Sequence, residues 1–224
     1  MTEEEWLTHE HIFSEWHFLK DEKYRRRWDL FAIACLRRFV PRITEESLSE
    51  YFDLYERAVD GLATHADVEA VWHRCLSALQ DLDPQPPFVA FVPAISGDPV
   101  DMDLEELTYA CASLAEAEAA MSPESTAMQT AMALDNEHRR WTSIRLDIFG
   151  NPFRPVAFDP SWRTSTAVAI ARGMYDSRDF SAMPILADAL QDAGCEHADI
   201  LDHCRSPGPH VKGCWVVDLV LGKE

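Results

Sequence analysis

The stretch TEESLSEYFDLYERAVDG, residues 44–61, decides the fold class. Its large apolar side chains Leu48, Phe52, Tyr55 and Val59 recur at intervals of four, three and four residues. At 3.6 residues per helical turn that spacing lines them along one face and leaves the intervening acids on the other. Thr44 offers a hydroxyl N-cap, and Gly61 supplies the left-handed residue that commonly ends a helix. The segment reads as an amphipathic helix whose apolar stripe needs a partner.

Neighbouring segments repeat the pattern. Downstream, Thr64 with Asp67 opens a helix carrying Val68, Val71, Trp72, Cys75 and Leu79. Upstream, Trp28, Phe31, Ile33, Cys35 and Phe39 precede a stop at Pro41, and Thr2 with Glu5 forms a capping box before Trp6 and Leu7. Pro84, Pro86, Pro87, Pro93 and Pro99 then forbid a helix between Asp83 and Met102, where Phe88 to Val92 reads as a short extended strip. Helical spacing resumes at Asp103 with Glu106 and restarts at Ser122-Pro123-Glu124. It continues through Ala127, Ala131, Leu134, His138, Trp141 and Ile148 to the turn Gly150-Asn151-Pro152. Later helices are expected from Asp159-Pro160 to about Tyr175, from Pro184 to Gly194, and from about Ala198 to Arg205. Cys214 to Leu221 is apolar except for Asp218, so a buried closing helix is expected there.

These readings predict an all-α chain, an irregular multi-helix bundle of about eight to ten helices with a short Pro-rich extended segment. The boundaries expected are an N-terminal helical subdomain over residues 1–83, a packed connector over 84–103 and a C-terminal helical subdomain over 104–224, or one continuous domain.

Charge narrows the function classes. The net charge is −19, and residues 44–138 hold 20 acids against only Arg57 and Arg74. Such a field repels nucleic acid and anionic lipid and attracts basic proteins. Neither G-x-x-x-x-G-K-[ST] nor G-x-G-x-x-G occurs, so phosphate binding by those loops is excluded. The basic run Lys23 to Arg27 beside Trp28 is expected to contact the acidic middle third internally. No apolar run approaches the roughly 20 residues needed to span a bilayer. An acidic start, Glu3-Glu4-Glu5, is unlike a secretory signal, so the expected compartment is the cytoplasm and the expected state of the six cysteines is reduced.

Candidate chemistry concentrates near the C-terminus, where Cys195, His197, His203, Cys204, His210 and Cys214 fall within 20 residues. Zinc takes sulfur and imidazole donors in close pairs, and His210 with Cys214 has that spacing. His203 and Cys195 are the candidates for the other half, at poorer spacing, because His203 and Cys204 are adjacent and point about 100° apart on a helix. The competing account makes these thiols small buried apolar residues and lets the histidines bond loop carbonyls around Pro207-Gly208-Pro209. The leading expectation is therefore no cofactor, with zinc at His203, His210, Cys214 and Cys195 as the alternative. His9, Glu10, His11, Glu15 and His17 lack the order of a zinc protease and read as solvated helix residues. His138, with Asp135 before it, lacks a nucleophile and reads as a core histidine.

Three C-terminal stretches, Asp147 to Pro155, Pro184 to Cys195, and His203-Cys204-Arg205 through Pro207-Gly208-Pro209-His210 to Trp215, resemble a family of helical proteins abundant in planctomycete-type bacteria. The opening Glu5-Trp6-Leu7 and Leu30-Phe31-Ala32 to Arg37-Arg38 are similar too. The resemblance implies a bacterial cytoplasmic protein and assigns no catalytic roles. The function expected from the sequence is a non-enzymatic protein-interaction or regulatory module with an acidic face, its partner a protein of basic character. The alternatives are a zinc-binding protein using the C-terminal cluster and an acidic inhibitor or immunity-type protein for a basic partner.

Overall fold

The computed structural model describes residues 2–8, 22–38, 46–80 and 127–223. Among the described residues every regular element is helical, as the spacing predicts. The nine α-helices of the described residues are α1 (Glu3–Thr8), α2 (Arg25–Arg37), α3 (Glu46–Val59), α4 (His65–Gln80), α5 (Ala127–Phe149), α6 (Ser165–Ser177), α7 (Met183–Asp192), α8 (Ala198–Arg205) and α9 (Trp215–Leu221). None of the helices searched is long and apolar enough to cross a membrane. The connector over 84–103, the helix openings at Thr44, Asp103 and Ser122, the cluster His9 to His17, and Cys111 lie outside the described residues.

The chain forms two compact units. One is Thr8–Thr142 and the other joins Thr2–Leu7 to Ser143–Glu224, so the division falls within α5. In the first unit, α3 buries Leu48, Tyr51, Phe52 and Tyr55 against Val68, Val71, Trp72 and Cys75 of α4 and the apolar side of α2. The stripe is thus centred one step from the expected one. Tyr51 is inside, and Val59 is only partly covered where the helix gives way to Gly61 at φ +71°. Two α2 arginines and the Arg38 that follows the helix meet acids of the middle third: Arg26 pairs with Asp60 at 3.0 Å, Arg37 with Glu56 at 3.1 Å, and Arg38 with Glu137.

In the second unit, α6 to α9 enclose a core of Ala167, Ala171, Met174, Leu186, Leu190, Ile200, Val216, Val217 and Val220. The caps follow side-chain chemistry. Thr2 and Glu5 form the predicted reciprocal box, with the Glu5 N–H donating to Thr2 Oγ1 at 3.2 Å and the Thr2 N–H to Glu5 Oε2 at 2.6 Å. One boundary differs from expectation. Asp159 caps only the single turn Pro160–Trp162, because Arg163 leaves helical geometry at ψ 56°, and Thr164 caps α6 afresh by accepting from the Ala167 N–H. Helix α8 falls where the sequence puts it, and α9 is the buried closing helix expected from Cys214 to Leu221.

Candidate metal centre

Four donors converge in the second unit. Asp147 stands in the last turn of α5, His203 on α8, His210 in the loop after Arg205, and Cys214 at the N-cap of α9. Their donor atoms all lie within 4.8 Å of one another. Asp147 Oδ1 is 2.7 Å from His210 Nδ1 and 3.1 Å from His203 Nε2, and that same His203 nitrogen is 3.2 Å from Cys214 Sγ. Tetrahedral zinc, with bonds of roughly 2.0–2.3 Å, spaces its donors about 3.5 Å apart. Movements of about an ångström would bring all four onto one ion.

The loop that delivers His210 depends on Gly208. Its φ is +85°, and a Cβ there would lie 2.9 Å from the His210 backbone nitrogen. Glycine alone lets the chain double back at that point. The arriving ring is oriented from its far side, where Nε2 faces the Ser206 carbonyl at 3.3 Å. An N–H held by a backbone carbonyl on one nitrogen is the usual way a histidine is aimed to ligate through the other. Asp147 is fixed in a comparable way, its Oδ2 accepting the Val211 N–H at 2.8 Å.

Burial sets the electrostatics. Asp147 is 2% exposed and Cys214 fully enclosed. Burial pushes the Asp147 carboxyl up, but hydrogen bonds and charge from His203 and His210 outweigh it and hold the group below its ordinary value. For His210 burial works downward and is outweighed by the bond and charge of Asp147, so the ring is held above its ordinary value. Burial and the Asp147 charge keep the Cys214 thiol well above its own. A thiol held protonated and out of reach of solvent is no nucleophile. The histidine geometry agrees. In an acid–base relay the carboxylate and the nucleophile take opposite ring nitrogens, whereas His203 presents Nε2 to both Asp147 and Cys214.

Of the four residues expected from sequence, His203, His210 and Cys214 come together, and Cys195 is not in the group. Cys195 follows the turn that ends α7 and is buried in the core beside Cys204, whose thiol burial and Cys195 together push up to about 12. Asp147 holds the fourth position, 63 residues from His210 in sequence. The sequence carried one signal for it. An acid in the last turn of a helix opposes the helix dipole and needs a compensating partner. Elsewhere, His138 packs edge-on to Trp141 at 5.0 Å, and the Asp135 carboxylate is engaged by Arg139 at 2.8 Å. The described cysteines, Cys35, Cys75, Cys195, Cys204 and Cys214, are buried thiols with no disulfide among them. Set against protein-family models, curated proteins and solved structures, the chain matches none of them.

Proposed function

We propose that the C-terminal unit is a zinc-binding helical module and that its ion is structural, clamping α5, α8, the 206–214 loop and the start of α9. The observation that carries this reading is the convergence of a carboxylate, two imidazoles and a thiol within 4.8 Å, on four separate pieces of chain. The donor chemistry supports zinc over magnesium or calcium, which take oxygen ligands. Four protein donors leave no open position, the mark of a structural site. A protein-interaction role for the acidic middle third stands beside this as a separate proposal, since that stretch contributes none of the donors.

Metal analysis of the purified chain tests the reading. One equivalent of zinc is expected, retained through gel filtration and removed by a strong chelator. Asp147→Asn, His210→Gln and Cys214→Ser should each weaken zinc binding by more than the roughly 10–100-fold that loss of an outer-shell partner costs. Cys195→Ala should keep the full equivalent. A folded wild-type chain that takes up no zinc from micromolar free metal would end the proposal.

A further inference from the structure

The N-terminal segment docks on the same turn of α5 that carries Asp147. Trp6 is fully buried, and its Nε1–H donates to the Gly150 carbonyl at 2.9 Å. Its own carbonyl accepts from Arg145 Nη2 at 2.5 Å, the Arg145 guanidinium lies 4.4 Å from its ring, and Phe149 meets it edge-on at 6.2 Å. Farther out, Glu3 accepts from Asn151 Nδ2 at 2.7 Å and pairs with Arg154 at 2.5 Å. Asp147 sits between Arg145 and Phe149 in this turn and turns its carboxylate to His203 and His210 instead.

Trp215 is a second link. Gly150, at φ +63°, has no side chain, and a Cβ there would stand 3.2 Å from the Trp215 ring. The indole packs on the residue whose carbonyl holds Trp6. It also lies 5.2 Å from the His203 ring and follows Cys214 directly in the chain. Anything that fixes His203, Cys214 and Asp147 therefore fixes both sides of the seat for Trp6.

We propose that docking of the segment Thr2–Leu7 and metal binding at Asp147, His203, His210 and Cys214 are positively coupled, so that the ion locks the N-terminus onto the C-terminal unit. The inference rests on the zinc reading above. Coupling of this kind is reciprocal: whatever zinc adds to docking, docking adds to zinc affinity.

The test measures zinc affinity of the full chain by competition with a chromophoric chelator. Trp6→Ala is expected to weaken zinc binding about fivefold or more, the lower end of ordinary coupling between sites. Glu3→Ala removes only the outer contacts, keeps the core intact and should give a smaller loss in the same direction. Leu7→Ala, on the exposed side of the segment, should leave affinity unchanged. Wild-type affinity in a Trp6→Ala chain of undiminished helix content would overturn the coupling and leave the zinc site standing. If Trp6→Ala fails to fold, an unchanged affinity in Glu3→Ala overturns it. A wild-type chain that binds no zinc brings down the site and the coupling together.

Discussion

Asp147 needs positive charge beside it, because a lone anion cannot be kept away from water. In the metal-free centre His210 supplies that charge. Its Nδ1 faces the Asp147 carboxylate and its Nε2 faces a carbonyl, both acceptors, so the arrangement favours the imidazolium and holds the ring above its ordinary value, while burial and the Asp147 charge favour the neutral Cys214 thiol. With zinc bound as proposed, the two charges of the ion would balance Asp147 and a Cys214 thiolate, and His210 would be neutral. The exchange would release the imidazolium proton of His210 and the thiol proton of Cys214. Near pH 6, below the ordinary imidazole value of 6.5, calorimetry in buffers of different ionisation heat should count two or more protons per zinc. Above pH 6.5 metal-free stability should move oppositely to zinc affinity. The raised His210 value contributes stability that is complete below pH 6.5 and lost as pH climbs through the folded value. The lowered Asp147 value contributes stability present above 3.8 and lost as pH falls through its own. Chelated protein should therefore resist thermal unfolding best between those limits and lose stability toward pH 8.5, where zinc is expected to bind best. Metal-free stability that rose from pH 6.5 to 8.5 would contradict this. At this scale the sequence was half legible. His210 and Cys214 lie close along the chain and announce a pair, whereas Asp147 arrives by folding, and Cys195 was nominated by nearness in sequence alone.

Helix positions were far more legible than ligand geometry, since a helix is specified by neighbours within a few residues. The boxes at Thr2–Glu5 and Thr64–Asp67 form between the residues that predict them. The break after Trp162 was not legible, because Arg163 spends its guanidinium on the Leu219 carbonyl of α9, a contact 56 residues away. The attachment of Thr2–Leu7 to the C-terminal unit was hidden for the same reason, its bonds to that unit spanning 139 residues or more. Among the elements α9 is the most consequential. Its Val216, Val217 and Val220 are buried almost completely, and each contributes about 1.5–3 kcal/mol. Their sum is comparable with the roughly 5–15 kcal/mol that holds an ordinary domain together. A chain ended at Ser206 should thus lose cooperative unfolding of α6 to α8 in circular dichroism. Comparison with chelated full-length protein separates this from loss of metal. A truncated chain that melts as sharply as the chelated one would show α9 to be dispensable.

At the scale of the molecule, charge and chemistry are kept apart. The acidic excess belongs to residues 44–138, all within the first unit, and α2 with the Arg38 that follows it commits Arg26, Arg37 and Arg38 to its buried acids. The donor cluster and the segment Thr2–Leu7 belong wholly to the second. A ligand that binds only the folded form stabilises it by an amount set by free ligand over dissociation constant, and local opening reports where that stabilisation falls. Zinc should therefore act selectively. Hydrogen exchange with and without chelator is expected to show faster exchange in α6, α8, α9 and residues 2–8 when the metal is withdrawn. Protection in α3 and α4, packed through Tyr51, Phe52 and Trp72, should hold on the timescale of local opening. Speeding of α8 and α9 without residues 2–8 would mean that the ion clamps the loop and leaves the N-terminus alone. Equal speeding in α3 and α4 would mean that the metal governs global unfolding, and the selective action argued from the two units would be wrong.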